Sequence, residues 1–233
     1  MTAPKQEVKG YYSSPRLTYE FLDCSMPMTF DTYSVCGFSC LYCFAWFLRA
    51  HNTKGFIERE ARSVNVDEVK RNFQALLAGR PEECKPQWWK LWYPYVRGRY
   101  TMQWGGLNDP FDWIEEKRGA TLELLRFFSS IDYPLSLSTK GAFFTKDPRY
   151  MDLFKRQAHN WHVKVSIISL SPKTAIIEKD CPTPEERLEV IRRLARVGVH
   201  VTLRLRPYIP GLSEDWPQLV REARLAGADS VTT

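Results

Sequence analysis

Three cysteines lie within eight residues of this 233-residue chain, and their spacing is suited to holding a metal centre. Cys36, Cys40 and Cys43 follow the pattern C-x3-C-x2-C, which is too tight, and odd in number, for a disulfide framework. A tetrahedral zinc site would need a fourth ligand, and no His or Cys lies nearby at finger-like spacing. Cysteine thiolates are the usual ligands of iron–sulfur clusters. Three thiolates on a four-iron cluster leave one iron open, so the motif predicts a reaction centre; a structural zinc knot and three buried thiols are the alternatives.

The composition is that of an ordinary globular protein. Hydrophobic residues make up 44% of the chain and charged residues 26%, and the length suits one domain or slightly more. The N-terminus has no apolar signal core, and no apolar run approaches the ~20 residues of a membrane span. We therefore expect a cytoplasmic protein in which the remaining cysteines, Cys24, Cys84 and Cys181, are reduced thiols. The net charge of +6 permits an anionic partner such as nucleic acid but does not establish one.

Strand-like and helix-like segments alternate along the chain. Apolar, β-prone runs predict six strands, at residues 28–35, 101–104, 135–141, 162–170, 200–206 and 229–233. The helical spacing of apolar residues predicts helices at 65–79, 121–131, 147–154, 183–197 and 216–226. Asn65 and Thr183 are predicted capping-box residues, with Glu68 and Glu186 as their partners.

This alternation, with short connections, is typical of an α/β fold in which right-handed crossover helices cover a parallel sheet. The predicted fold is a partial (β/α)6 barrel of parallel strands with outer helices, because about six β/α units are present rather than the eight of a closed barrel. The sequence stops as the sixth strand begins. We therefore expect either a missing C-terminal part or an unusually open barrel.

Two segments fall outside this alternation. Residues 1–27 are polar and interrupted by prolines, which predicts an irregular N-terminal arm before a domain spanning 28–233. An aromatic and basic insertion at about 80–100 includes Trp88, Trp89 and Trp92. It could stack bases and contact phosphates, or it could pack over a barrel mouth with its cations reaching solvent. We favour packing, because tryptophan is strongly buried on average.

Ligands of parallel barrels bind at the carboxyl ends of the strands, and polar or glycine residues follow the predicted strands. Gly105 and Gly106 allow a ligand to approach the backbone closely. Asp109 could bind an ammonium group or serve as a turn residue and helix cap. We expect Arg204 and Arg206 to face opposite sides of their strand, so that only one looks into the barrel, where it would bind a carboxylate or phosphate.

The cysteine spacing, with Tyr42 just before the last cysteine, resembles the cluster motif of the radical S-adenosylmethionine (SAM) superfamily. The resemblance implies a [4Fe–4S] cluster on the three cysteines, with the amino and carboxylate groups of SAM on the open iron. Reductive cleavage of SAM would then give a 5′-deoxyadenosyl radical that abstracts hydrogen from a substrate. The strand ends would hold the amino group, carboxylate, ribose (through Ser166 or Ser169) and adenine of SAM in turn. The implied cofactor-binding residues are Tyr42, Gly105, Gly106, Asn108, Asp109, Ser138, Lys140, Ser166, Arg204 and Ile209.

Longer runs resemble spore photoproduct lyase and its relatives over about residues 28–233. They are NDPF at 108–111, STKG at 138–141, PEERL at 184–188 and RPYIPGL at 206–212. That group includes a DNA-repair enzyme that acts on a thymine-derived dimer, which implies a nucleobase or nucleoside substrate. The lyase's hydrogen-donating cysteine has no counterpart in residues 105–109. Cys181 or Tyr208 could serve as the donor, although we prefer an exchanged substrate.

The sequence therefore predicts a radical SAM enzyme that modifies or rearranges a nucleobase or nucleoside in DNA or RNA. Such an enzyme would need an external flavodoxin- or ferredoxin-like reductant. The alternatives are radical SAM modification of a peptide or small metabolite, and a non-catalytic metal-binding interaction module.

Overall fold

A seven-stranded sheet forms the centre of the computed structural model, which describes residues 13–17, 26–45 and 61–233. The strands are β1 (Arg16–Leu17), β2 (Met28–Phe30), β3 (Ser39–Cys40), β4 (Met102–Trp104), β5 (Leu135–Thr139), β6 (Trp161–Ser166), β7 (Glu178–Lys179), β8 (His200–Arg204) and β9 (Ser230–Thr232). The large sheet has the order β1-β2-β4-β5-β6-β8-β9, and β3 pairs with β7 in a separate ribbon. Within the large sheet, the six strands β2, β4, β5, β6, β8 and β9 run parallel to one another, whereas β1 is antiparallel to β2. The predicted partial (β/α)6 barrel is thereby confirmed.

The helices connect successive parallel strands. They are α1 (Val66–Leu77), α2 (Tyr93–Arg97), α3 (Trp113–Arg118), α4 (Ala120–Ser130), α5 (Pro148–Arg156), α6 (Thr174–Ile177), α7 (Pro184–Arg196) and α8 (Trp216–Ala226). The main hydrophobic core joins one face of the sheet to helices α1, α4, α5, α7 and α8. Alternate strand residues such as Leu135, Leu137, Val163 and Val165 supply that face, because successive side chains of a strand point to opposite sides. No helix in the described ranges is long and apolar enough to cross a membrane.

Several strands end earlier than predicted. The first ends at Phe30 rather than residue 35, because Tyr33 and Val35 leave the sheet and pack against Ile114 and Ala120 in a second, smaller apolar cluster. The fourth and fifth predicted strands likewise end at Ser166 and Arg204, ahead of residues 170 and 206. Apolar residues beyond these ends are buried in loops, and a run of apolar residues alone does not distinguish a loop core from a strand.

The two predicted capping boxes have different outcomes. Thr183 and Glu186 form the reciprocal pair at the start of α7. Asn65 caps α1 through the amide of Glu68, but the Glu68 carboxylate instead accepts a 3.1 Å hydrogen bond from Trp89 Nε1. The backbone amide of Asn65, which the second half of the box would have used, donates to Ser13 Oγ at 3.0 Å. A tertiary contact has therefore replaced the second half of the predicted box.

The aromatic insertion is packed, as favoured from the sequence. It forms two short 3-10 helices, Pro81–Glu83 and Gln87–Trp92, followed by α2. Trp89 is fully buried and its ring lies edge-on to Phe73 of α1 at 5.9 Å. The segment leads into the start of β4, so it lies at the amino edge of the sheet, opposite the edge that carries the cysteines. Of the predicted N-terminal arm at 1–27, residues 13–17 and 26–27 are described, and the others, including Cys24, lie outside the described residues.

Candidate active site

The three cysteines meet the ends of four strands at one cavity. The cavity encloses about 90 Å³ and adjoins a larger one of about 400 Å³, with which it shares Cys40, Cys43, Phe44, Lys140, Ser166 and Arg204. The larger volume is within the range of small-molecule sites. The predicted site residues in the smaller cavity are Cys36, Cys40, Cys43, Gly105, Gly106, Asn108, Asp109, Ser138, Lys140, Ser166 and Arg204, and Tyr42 lines the larger one.

Helix α3 holds one side of the cysteine loop. The carboxylate of Asp112 caps α3 through the amides of Ile114 and Glu115 and also accepts a hydrogen bond from the Gly37 amide. Trp113 Nε1 donates to the Gly37 carbonyl at 2.7 Å. A Cβ atom at Gly37 would lie 2.5 Å from that indole nitrogen, so the contact requires glycine. Burial raises the pKa of Asp112 to about 7.

The β3–β7 ribbon holds the other side of the cysteine loop. Cys40 pairs with Glu178 in the ribbon, and the Glu178 carboxylate accepts a hydrogen bond from the Tyr42 hydroxyl. Arg187 Nη2 binds the same carboxylate at 2.5 Å. Both charged side chains are 1% exposed. Arg187 further donates to the carbonyls of Ser166 and Pro182, at 2.9 and 2.8 Å, which ties α7 to the end of β6.

These supporting residues were not predicted from the sequence. Arg187 lies within the PEERL run at 184–188, but nothing in the run says that its side chain is buried. Asp112 and Glu178 carry no local pattern that separates them from surface carboxylates. The sequence did contain a capping signal for α3, because Asp112 is followed by Glu115 and Glu116 in the first turn.

Cys181 lies beside the cysteine loop, although 141 residues separate it from Cys40. The two Sγ atoms are 3.6 Å apart. The hydrogen bond from Cys181 lowers the pKa of Cys40 to about 7, and the same contact, with burial, raises the pKa of Cys181. Lys140 faces this group, with Nζ 5.5 Å from the centre of the Tyr42 ring. Burial lowers the pKa of Lys140, but Cys40, Glu178 and Cys181 outweigh it, so the net shift is upward.

The loop after β4 is shaped by its backbone. Gly105 has φ +88°, and a Cβ atom there would lie 2.5 Å from the Ser138 carbonyl oxygen. The carboxylate of Asp31, at the end of β2, accepts from the amides of Leu107 and Asn108 at 3.0 and 3.2 Å. Neighbouring strand ends are thereby held close together around the cavity.

Asp109 serves as a turn residue rather than as a free carboxylate. Its oxygens accept from Phe111 N at 2.9 Å, from Thr139 Oγ1 at 2.7 Å and from Lys140 N at 2.5 Å. Burial raises the pKa of its carboxyl group. The alternative reading from the sequence, a tight turn, describes these contacts, although the helix cap itself is Asp112.

Two buried polar atoms on the cavity have no hydrogen-bond partner among the described residues, Asn108 Oδ1 and Ser138 Oγ. Buried polar groups are usually satisfied, so these atoms favour a polar ligand. The sheet face away from the core is also polar; one row across neighbouring strands is Thr29, Gln103, Ser136, His162 and His200. This polar face differs from the apolar packed interior of a closed barrel.

Arg204, at the end of β8, and Arg206, two residues later, both line the larger cavity, so the expectation that only one would face it was wrong. Residues two apart on extended backbone share a face, and β8 ends at Arg204. Of the two serines proposed for ribose, Ser166 lines the cavities, whereas Ser169 Oγ donates to Asp215 at 3.0 Å. Tyr208 is 49% exposed. Neither it nor Ile209 is part of the described lining of the two cavities.

The residues at this cavity include the three thiols that would hold the predicted cluster. Within the described ranges, no three His, Cys, Asp or Glu side chains converge where a single ion would bind. Burial, followed by the Asp112 and Asp109 carboxylates, raises the pKa of Cys36; a metal cation would offset that effect, since it deprotonates a coordinating thiol. With the unpartnered Asn108 and Ser138 atoms, these residues fit a cluster and a polar ligand.

The fold is similar to the folds of solved radical SAM enzymes. A spore photoproduct lyase variant with bound AdoMet and dinucleoside spore photoproduct matches with a TM-score of 0.63 at 17% identity, over 89% of this chain and 54% of that one. The radical SAM methyltransferase TsrM from Kitasatospora setae, with tryptophan substrate and a SAM analogue, matches with a TM-score of 0.56 at 12% identity, over 87% and 34%. These likenesses agree with the resemblance drawn from the sequence.

The relatives found by sequence are uncharacterized proteins. One from Mycobacterium tuberculosis is 28% identical over 211 residues, covering 88% of this chain and 57% of the relative. Another from Acidianus two-tailed virus is 27% identical over 157 residues, covering 64% and 49%. The chain thus spans about half the length of these relatives. No protein-family model matches the sequence.

Proposed function

We propose that this protein is a radical SAM enzyme with a [4Fe–4S] cluster on Cys36, Cys40 and Cys43. The observation that carries the proposal is the meeting of all three cysteines with four strand ends at one cavity, within the fold of radical SAM enzymes. When bound and reduced, the cluster would cleave SAM to a carbon-centred radical able to remove hydrogen from a substrate.

The chain's own residues would bind and orient SAM. Asn108 Oδ1 has no hydrogen-bond partner in the described part of the chain and suits an ammonium group, in place of Asp109, whose oxygens already accept three hydrogen bonds. Ser138 Oγ and the Lys140 ammonium suit a carboxylate. The Tyr42 ring, held by Glu178 at its hydroxyl, offers a flat surface to a base.

The substrate proposed is anionic, a nucleobase or nucleoside within DNA or RNA. Arg204 and Arg206 both line the larger cavity, and guanidinium groups match phosphate geometry. The net charge of +6 points the same way, as does the fold likeness to a lyase with a dinucleoside bound. The aromatic insertion no longer supports this reading, because Trp89 and Trp92 are buried at the other edge of the sheet.

A peptide or small metabolite is the second candidate, favoured by the fold likeness to TsrM with its tryptophan substrate. Either enzyme would draw electrons from a flavodoxin- or ferredoxin-like donor. The need of such a cluster for a reducing environment also leads us to propose a cytoplasmic location.

The test is anaerobic reconstitution with iron and sulfide, followed by dithionite and SAM, with 5′-deoxyadenosine quantified by chromatography. Wild type should form it, and Cys36→Ala, Cys40→Ala and Cys43→Ala should not. Cys84→Ala is the matched control and should remain active, because Cys84 lies in the main core. A fully loaded four-iron cluster that gives no deoxyadenosine, with any candidate substrate present, would refute the proposal and favour a binding module.

Substrate class is tested with the same protein. Oligonucleotides should stimulate deoxyadenosine formation, and their affinity should fall steeply with salt. Stimulation by peptides or free metabolites, with salt-insensitive binding, would favour the second candidate.

A further inference from the structure

Cys181 forms a thiol pair with Cys40 that neither the cluster nor SAM accounts for. We propose that Cys40 and Cys181 are a reversible disulfide site, which withdraws Cys40 from the three-cysteine set when no cluster is bound. The disulfide itself is independent of the proposed function; its consequence for cluster loading rests on it.

The ribbon and its turn bring the two thiols together. Cys40 is paired with Glu178 in the β3–β7 ribbon. The chain then turns back, with the Cys181 amide donating to the Glu178 carbonyl at 3.3 Å. Asp180 adopts φ +62° in this turn, a left-handed conformation that is uncommon for non-glycine residues. The turn brings the Cys181 thiol back beside Cys40, just beyond the end of β7.

The sulfur atoms need only a small movement to bond. They lie 3.6 Å apart, against about 2.05 Å in a disulfide. Glu178, held by Arg187 and Tyr42, fixes the ribbon beneath them. Cys40 is 5% exposed and Cys181 is half-buried, so Cys181 is the more accessible thiol of the pair. This placement suits a thiol partner better than a hydrogen donor, because Cys181 is not among the residues lining either described cavity.

The reaction is a thiol–disulfide exchange with a low-molecular-weight disulfide such as oxidised glutathione. One thiol of the pair first forms a mixed disulfide and releases one glutathione thiol, and the other thiol then displaces the second. Two S–H bonds are lost, one protein S–S bond forms, and the two electrons and two protons appear in two glutathione thiols. A dithiol reductant reverses the exchange.

The test uses the full chain, freed of iron by anaerobic chelation and fully reduced. The apo-protein is treated with oxidised glutathione, free thiols are alkylated, and cross-linked peptides are identified by mass spectrometry. We expect Cys40–Cys181 to be the predominant cross-link and to disappear with dithiothreitol. Cys84→Ser, altered in the core, should give the same cross-link, and Cys181→Ser should not. Predominant cross-links among Cys36, Cys40 and Cys43, or no cross-link, would overturn the proposal.

Iron loading gives an independent measurement. Oxidised wild type should bind iron and sulfide only after reduction, whereas Cys181→Ser treated identically should bind them directly. If oxidation prevents iron and sulfide binding equally in wild type and in Cys181→Ser, a disulfide between Cys40 and Cys181 is not what withdraws Cys40. If reduced wild type never binds iron, the proposed function fails, but the cross-link map still decides the disulfide.

Discussion

Replacing Arg187 with methionine should destabilise the protein far more than the same change at Arg192 on the same helix. Arg187 is fully buried and binds the equally buried Glu178 carboxylate at 2.5 Å. Removing one partner of a buried ion pair costs about 3–5 kcal/mol, because the other charge stays buried and uncompensated. The carbonyls of Ser166 and Pro182 would also lose their donor. Since small domains are stable by only about 5–15 kcal/mol, this loss is a large fraction of the total.

The matched control is the exposed pair on the same helix. Arg192 contacts Glu189 with side chains 42% and 35% exposed, and such pairs contribute about 0–1 kcal/mol. Stability would be measured by urea unfolding followed by tryptophan fluorescence and circular dichroism. A double-mutant cycle with Glu178→Gln should give a coupling of at least about 1 kcal/mol, because the neutral amide no longer needs the guanidinium.

Two results would refute this reasoning. One is an Arg187→Met variant no less stable than Arg192→Met, which would mean that the pair is solvated in solution. The other is a cycle in which the effects of Arg187→Met and Glu178→Gln simply add. The refolded Arg187→Met protein should also load iron less completely, because Glu178 positions the cysteine loop through its pairing with Cys40.

Three further predictions concern SAM binding, pH and the core. Ser138→Ala should weaken SAM binding to the reconstituted protein severalfold, as measured by calorimetry, which is equivalent to about 1 kcal/mol. The control is Ser136→Ala, which should not weaken binding, because Ser136 is also buried and without a partner among the described residues but does not line the described cavities. Equal effects of the two substitutions would contradict the assignment. Burial, together with His200, lowers the pKa of His162 to about 4, so the unfolded chain binds more protons than the folded protein between about pH 4 and 6.5. The free energy of unfolding should therefore rise with pH over that range in the wild type and rise less in His162→Gln. Urea midpoints that change with pH in the same way in both proteins would contradict this prediction. Trp89→Ala should cost about 3–5 kcal/mol in unfolding free energy without changing oligonucleotide affinity per folded molecule, whereas a specific loss of affinity would restore the nucleic-acid reading of the insertion.

The sequence by itself determined the features that depend on the spacing of nearby residues and on the order of strands and helices along the chain. The spacing of Cys36, Cys40 and Cys43 is local, so it defined a candidate metal site before any fold was known. Strand and helix alternation defined a parallel sheet, since short crossovers allow few other topologies. Parallel strands end at one edge, so Ser138 and Arg204 could be assigned to the same site without coordinates.

Only the tertiary structure decided which side chains complete and support that site. Asp109 and Asn108 are adjacent polar residues, yet three hydrogen bonds occupy the carboxylate of the first, whereas Oδ1 of the second has no partner among the residues that the structure describes. Glu178 and Cys181 come to the cysteine loop from about 140 residues away through the β3–β7 ribbon. No local pattern encodes such a pairing, because its free energy comes from burying groups that are distant in sequence. The spacing of the cysteines and the order of the strands therefore determined where the site lies. The burial of residues that are distant in sequence determined which side chains contact one another there.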